Sequence, residues 1–138
     1  MGPMDKRRLT FTIALLFSAL VLVGCERQKA PRSTREALHL PAPGFVADAT
    51  RGQQLFQASC AACHGQDGRG TDKGPPLVDP IYRPGHHHDL AFHLAVKNGV
   101  RQHHWNFGNM DPVEGVTPEN AADIIAYVRK GQRAAGIN

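Results

Sequence analysis

The sequence has no alternating run of apolar and polar residues long enough to predict a strand of a half-buried β-sheet. It also has no internal repeat and no long low-complexity segment. A length of 138 residues with 41% apolar content leaves room for one small globular domain and excludes a second. These limits favour a single domain that is mostly α-helical.

An excess of one charge sign is also missing once the N-terminal segment is set aside. The whole chain has a formal net charge of +4, but residues 44–138 contain nine Lys/Arg and nine Asp/Glu. A neutral domain lacks the basic surface on which nucleic-acid binding depends. We therefore expect no nucleic-acid partner.

The first apolar run has the features of an export signal. A lysine and two arginines precede a stretch from Leu9 that is short for a bilayer span of about 20 residues. The run ends in Leu-Val-Gly-Cys at Cys25, which resembles a bacterial lipobox. The sequence thus predicts a signal peptide over residues 1–24 and a lipid-modified Cys25, with an ordinary signal or an uncleaved anchor as the alternatives.

The segment after Cys25 predicts a flexible tether over residues 25–43. Residues 26–43 contain three prolines, and four basic residues against two acidic ones, a composition that favours an extended chain near anionic lipid. A protein attached in this way lies in the cell envelope, on the periplasmic side, and is anchored to the membrane through its lipid. The folded domain is then expected over residues 44–138.

Cysteine is scarce, and its placement is informative. Beyond Cys25, the chain has only Cys60 and Cys63, followed at once by His64. The pattern C-x-x-C-H is typical of covalent haem attachment, with two thioethers and an imidazole on the iron. A thioredoxin-like dithiol needs a βαβ context that this sequence lacks, and a zinc site needs more ligands. A disulfide and a zinc site are the minor alternatives.

Three segments carry helix signals. Asp48 is a predicted N-cap of the first, in which Gly52 predicts a close approach by another helix, because glycine inside a helix costs about 1 kcal/mol. Asp89 is predicted to cap a second helix. Thr117 begins a third, with proline at its first position, and the run up to Gly131 is predicted to end it.

Two long connections separate these helices. The segment 65–80 contains four glycines and three prolines, which predicts an irregular loop. Together with the connection 99–116 it would count against a compact domain unless both loops line a binding site. A buried porphyrin supplies that reason, because several hundred Å² at about 25 cal/mol/Å² adds roughly ten kcal/mol to a small core.

Residues 48–131 resemble a class I cytochrome c. The resemblance is carried by "GQQLFQASCAACHG", the loop "GPPL", a helix before a distal loop, one late methionine and a terminal helix with an aromatic residue. It implies a mostly α, small class I cytochrome c fold of three to four helices, with long loops wrapped around one covalent haem. It also implies that the first and last helices cross near the haem, with Gly52, Phe56 and Tyr127 at the contact.

The resemblance implies a ligand set for the haem iron. His64 is the expected proximal ligand, with its second ring nitrogen bonded to the Pro75 carbonyl and Leu77 on the haem face. Met110, the only methionine beyond the predicted signal, is the expected distal ligand in a "FGNMDP" loop. Trp105 is expected near the haem edge with its N–H on a propionate or a backbone carbonyl, with plain core packing as the alternative.

Histidine is plentiful, with eight residues in the chain. Five of them form a candidate second metal site for copper or another ion, because imidazole is the commonest transition-metal ligand: His86, His87, His88, His103 and His104. A bis-histidine haem through His103 or His104 is an alternative. Surface loops with contacts to the propionates are the simplest interpretation.

The resemblance implies a function in electron transfer. A monohaem protein whose iron keeps two protein ligands is a one-electron carrier and not an enzyme. Its partners would be redox proteins such as a membrane oxidase or dehydrogenase. Two alternatives stay open: a haem enzyme, if the Met110 ligand is labile, and a copper-handling or metal-sensing module that uses the histidines.

Overall fold

The computed structural model describes residues 33–138. Over this range the chain forms five α-helices, one 3-10 turn and no strand beyond an isolated bridge between Val100 and Met110. The helices are α1 Thr34–Ala37, α2 Ala49–Ser59, α3 Ala61–His64, α4 Asp89–Asn98 and α5 Pro118–Ala134, and the 3-10 turn is Pro80–Tyr82. The predicted mostly helical fold is confirmed, and α2, α4 and α5 are its three predicted helices.

The predicted signal peptide over residues 1–24 and the lipid-modified Cys25 lie outside the described residues. Among residues 33–138, no helix is both long and apolar enough to cross a membrane.

Helices α2 and α5 cross at very short range, and Gly52 permits the crossing. A Cβ atom on Gly52 would lie 1.9 Å from the carbonyl oxygen of Asp123 in α5, far inside any real carbon–oxygen contact. Next to this point, the fully buried Phe56 packs on Tyr127, with 5.2 Å between ring centroids. The close approach expected at Gly52 is confirmed.

Asp123 joins the beginning of α2 to α5. Its side chain is 1% exposed and accepts hydrogen bonds from the Asp48 backbone N–H at 2.7 Å and from the Arg51 guanidinium. Asp48 in turn caps α2 as predicted, because its carboxylate accepts from the N–H groups of Thr50 and Arg51. The buried carboxylate is thus fully partnered, which a charge inside a core requires.

Arg129 joins α5 to the segment that precedes α4. It is 6% exposed and donates to Asp89 Oδ1 at 2.8 Å, to the Tyr82 carbonyl at 2.7 Å and to the His87 carbonyl. Its guanidinium also lies 4.8 Å from the centroid of the Phe92 ring, a distance typical of cation–π contacts. One buried cation therefore fixes the backbone between the 3-10 turn and α4.

Two predicted helix ends are wrong. His88, not Asp89, is the N-cap of α4; Asp89 lies in the first turn, where its carboxylate pairs with Arg129. Helix α5 continues past Gly131 to Ala134, because the buried Gln132 bonds to two backbone carbonyls of the preceding loops and keeps the last turn against the domain. In both places tertiary partners override the local signals.

The predicted tether is wrong for residues 33–43, which form α1 and pack on the domain. Lys97 Nζ donates to two carbonyl oxygens at the end of α1, at 2.6 and 2.7 Å. The Ala42 N–H donates to Glu119 Oε1 at 3.1 Å. The folded domain therefore includes residues 33–43 and does not begin at residue 44.

A pair of histidines completes this docking. His39, which has a left-handed φ of 56°, lies with its ring centroid 6.3 Å from that of His93 in α4. Burial lowers the pKa of both imidazoles, so the pair packs in the neutral form near pH 7. Composition alone does not reveal such a contact, since it depends on a residue more than fifty positions away.

We predict that Gly52→Ala destabilises the haem-loaded protein by about 3 kcal/mol, because overpacking outweighs the roughly 1 kcal/mol that alanine gains in a helix. Denaturant unfolding followed by circular dichroism measures the change. Gly85→Ala is the matched control, since a Cβ at Gly85 meets no atom within 4 Å. Equal denaturant midpoints of unfolding for Gly52→Ala and the wild type would contradict the close approach of α2 and α5 at Gly52.

Candidate haem site

The C-x-x-C-H motif lies on the short helix α3, which follows α2 directly. Cys60 is both the C-cap of α2 and the N-cap of α3. Because Cys63 and His64 follow it by three and four positions, the two thiols and the imidazole share one side of a helical turn. Cys60 is half-buried, Cys63 is exposed, and both are free thiols. The structure therefore pairs them in no disulfide.

The Cys60 thiol is not activated as a redox nucleophile. Burial, with a smaller contribution from Cys63, raises the pKa of Cys60 to about 11. Redox-active cysteines have a lowered pKa, because the thiolate is the reactive form. This environment counts against the dithiol interpretation of the motif and is compatible with thiols that become thioethers.

His64 is held in one orientation and one tautomer. Its side chain is buried at 9% exposure, and Nδ1 lies 2.9 Å from the Pro75 carbonyl oxygen. Because a carbonyl oxygen can only accept, Nδ1 carries the hydrogen and Nε2 keeps its lone pair for a metal. Burial lowers the pKa of His64, which favours the neutral, ligating form. The contact with Pro75 is the one that the resemblance implies.

The glycine-rich loop after α3 wraps back over the motif. Gly65 has a φ of 78°, and a Cβ there would lie 2.7 Å from the Gly70 carbonyl oxygen. The Gly70 N–H donates to the His64 carbonyl at 2.7 Å, and Thr71 Oγ1 donates to the Cys63 carbonyl at 2.6 Å. The irregular loop predicted here is confirmed, and its glycines are what let the backbone approach α3.

Leu77 is fixed between this loop and α5. Its N–H donates to the Gly68 carbonyl at 2.7 Å, its carbonyl accepts from Gln132 Nε2 at 2.8 Å, and its side chain packs against the core. Gln132, only 1% exposed, is a residue that the sequence interpretation missed. The sequence feature that could have indicated it is a polar residue four positions after Val128, which falls on the buried side of an amphipathic helix.

Met110 has a fixed backbone at the end of the second loop. It forms two hydrogen bonds with Val100, at 2.8 and 2.9 Å, in the isolated bridge. Gly99 has a φ of 73°, and a Cβ there would lie 2.3 Å from the Met110 carbonyl oxygen. The glycine that ends α4 is therefore also required for the position of Met110.

Trp105 has a buried N–H without an acceptor in the protein. Its Nε1 meets no acceptor in full hydrogen-bonding geometry. The neighbouring Tyr82 hydroxyl interacts with it, and this contact partly offsets the burial that raises the pKa of Tyr82. The alternative of a backbone carbonyl acceptor is therefore not found, while a buried indole N–H normally has a partner. A haem propionate would supply one. Two free thiols, an imidazole with an available Nε2 and this orphaned donor together fit a covalent haem.

Three of the five candidate histidines of the second site converge. The ligating nitrogens of His86, His87 and His104 lie within 4.8 Å of one another, and Nε2 of His86 is 3.3 Å from Nε2 of His104. His88 instead donates its Nδ1 hydrogen to the Pro84 carbonyl. His103 lies beside the group, with its ring centroid 4.3 Å from that of His104.

Fold and site together define a small helical protein with the attachment motif of a c-type haem. A family model described as Cytochrome c matches residues 49–132. The chain belongs to the cytochrome c family.

Two curated relatives share about a third of their aligned residues with this chain. The cbb3-type cytochrome c oxidase subunit CcoP of Rubrivivax gelatinosus is 34% identical over 79 residues, which are 56% of this chain and 24% of that protein. Cytochrome c-551 of Bacillus subtilis is 34% identical over 80 residues, 58% of this chain and 60% of that protein. The chain thus spans less than two thirds of the length of either relative.

A solved structure, cytochrome cL from Hyphomicrobium denitrificans, aligns with a TM-score of 0.44 and 21% identity over 77% of this chain and 61% of that one. The family model over residues 49–132 implies a covalent haem c and confirms the interpretation of the chain as a class I cytochrome c.

Proposed function

We propose that the protein is a one-electron carrier with a single haem attached through Cys60 and Cys63 and with His64 and Met110 as axial ligands. The observation that carries this proposal is the bond between His64 Nδ1 and the Pro75 carbonyl at 2.9 Å, which leaves Nε2 of a buried, neutral imidazole available for iron. When bound, the haem supplies a one-electron Fe(II)/Fe(III) couple.

The protein side chains would hold that group and keep substrates away from it. The Pro75 carbonyl fixes the plane of the His64 ring and increases its donor strength. The bridge between Val100 and Met110 keeps the methionine loop in place, so that the Met110 thioether would be available as the second iron ligand. If His64 and Met110 both hold the iron, no coordination position would be left for a substrate, which favours a carrier over an enzyme.

We also propose that lipid on Cys25 tethers the carrier to the membrane on the periplasmic side of the cell envelope. Because residues 33–43 pack on the domain, only residues 26–32 separate the lipid from the fold. Seven residues span at most about 25 Å. This short reach would keep the haem edge near membrane-bound partners at high effective concentration.

The partner class that we propose is a membrane oxidase or dehydrogenase. A relative named as an oxidase subunit supports an oxidase as one such partner. The near-equal numbers of basic and acidic residues in 44–138 favour a docking surface whose affinity changes little with ionic strength.

Met110 separates a carrier from an enzyme, and its replacement tests the proposal. Met110→Ala should open the iron to CO and peroxide. Met110→His should keep six-coordination but lower the midpoint potential markedly, within the roughly 0.8 V range that axial ligands span, because a thioether favours ferrous iron more than an imidazole does. The near-infrared methionine-to-iron charge-transfer band and the potential are the measurements.

The matched controls are His103→Ala and His104→Ala, which should leave the band intact. A wild-type protein without the band, with a potential that responds to a histidine change but not to Met110→Ala, would contradict the ligand assignment. That result would favour a bis-histidine haem.

Replacing Cys25 tests the tether. Cys25→Ser should release the protein from membranes or leave it unprocessed, because the several acyl chains of a lipoprotein anchor stably whereas one chain binds only marginally. Fractionation and metabolic labelling with a fatty acid measure this. Acyl labelling that is as strong in Cys25→Ser as in the wild type would refute the lipid assignment, whatever the haem ligands are.

A further inference from the structure

A group of three imidazoles forms on the surface, outside the C-x-x-C-H motif. His86 and His87 precede α4, and His104 comes from the loop between α4 and Met110, yet their ligating nitrogens lie within 4.8 Å of one another. We propose that His86, His87 and His104 bind one divalent late transition-metal ion, such as Zn²⁺ or Cu²⁺. We call these three residues the histidine triad.

The spacing of the triad matches such an ion. Ligand nitrogens at 2.0–2.1 Å from a tetrahedral Zn²⁺ lie about 3.4 Å from one another. The pair formed by His86 Nε2 and His104 Nε2 is at 3.3 Å, so two ligands already have this separation. The remaining nitrogen, that of His87, lies within 4.8 Å of the other two, so the exposed rings of His86 and His104 would close a gap of up to about 1.4 Å by side-chain rotation.

His87 is the fixed member of the triad. Its Nδ1 donates to the Ile81 carbonyl at 2.9 Å, which leaves the lone pair on Nε2, and its own carbonyl accepts from the buried Arg129. Metal-ligating histidines usually donate the other ring N–H to a carbonyl or carboxylate in this way. The backbone and the tautomer of His87 are therefore set before any ion arrives.

The surrounding groups favour a metal over an ordinary hydrogen-bonded cluster. Two neutral imidazoles can share one hydrogen between them, as His86 and His104 do, but no hydrogen bond joins His87 to either of them among the described residues. Asp89, the nearest acidic residue along the chain, is engaged by Arg129 and does not form an ion pair with the triad. A cation would satisfy all three lone pairs at once.

The ligand set defines the kind of ion. Three imidazoles suit Zn²⁺, Cu²⁺ or Ni²⁺ and not the hard ions Mg²⁺ and Ca²⁺, which prefer oxygen. His86 and His104 are exposed, so the fourth position would face water, as in zinc sites with three histidine ligands. The triad is thus expected to bind its ion reversibly from solution.

Zn²⁺ is the sharpest probe, because it has no redox chemistry with the haem. Calorimetry on the untagged, haem-loaded protein should show one saturable Zn²⁺ site and no response to Mg²⁺. His104→Ala, and the triple variant His86→Ala/His87→Ala/His104→Ala, should bind at least about 100-fold more weakly, a larger loss than the 10–100-fold that removal of an outer hydrogen-bond partner causes.

His88→Ala is the matched control, since His88 neighbours the triad in sequence but points to the Pro84 carbonyl; it should keep wild-type affinity. Zinc-edge X-ray absorption should show three histidine ligands at about 2.0–2.1 Å. Unchanged haem spectra show that each variant is folded. Three results would overturn the proposal: no saturable Zn²⁺ site in the wild type, an equal loss of Zn²⁺ affinity in His88→Ala, or full Zn²⁺ affinity in the triple variant. None of them would affect the electron-transfer assignment.

Discussion

The hydrogen bond from His64 Nδ1 to the Pro75 carbonyl is the contact that the surrounding loops and helices hold in place. It requires the loop after α3 to return to its own starting point, which the glycines at 65 and 70 allow. The loop is then held from the other side, because Gln132 on α5 binds the Leu77 carbonyl. Helix α5 reaches that place because it crosses α2 at Gly52. One imidazole orientation therefore depends on contacts distributed over most of the domain.

The domain compensates for a small apolar core with partnered polar groups. Only a few apolar side chains are buried, with Phe56 and Val128 among them, whereas Asp123, Arg129 and Gln132 are buried as deeply. Each of these three polar residues bonds to backbone groups of other segments, so they fix the loops that apolar packing alone would leave free. The same Arg129 that fixes the segment before α4 also positions His87, so the proposed ion site rests on the general framework of the fold.

Much of this could be predicted from the sequence, because it is local. The helix caps at Asp48 and Thr117, the glycine-rich loop and the C-x-x-C-H motif are short patterns with direct physical meaning, and Gly52 indicated a close helix crossing. What could not be predicted depends on distant partners. Residues 33–43 have the composition of a tether but pack on α4 and α5, and His88 rather than Asp89 caps α4 because Asp89 pairs with Arg129, forty positions away. Likewise, the choice of three among five histidines follows from loop geometry and not from spacing.

The central claim is that the site built around His64 holds its haem covalently. Acid–acetone extraction of the purified protein, followed by mass spectrometry of the peptide that contains Cys60 and Cys63, tests it most directly. The account predicts that the haem stays with the protein and that this peptide carries the mass of one haem through both cysteines. Haem that extracts freely, with both thiols recovered unmodified or as a disulfide, would contradict it.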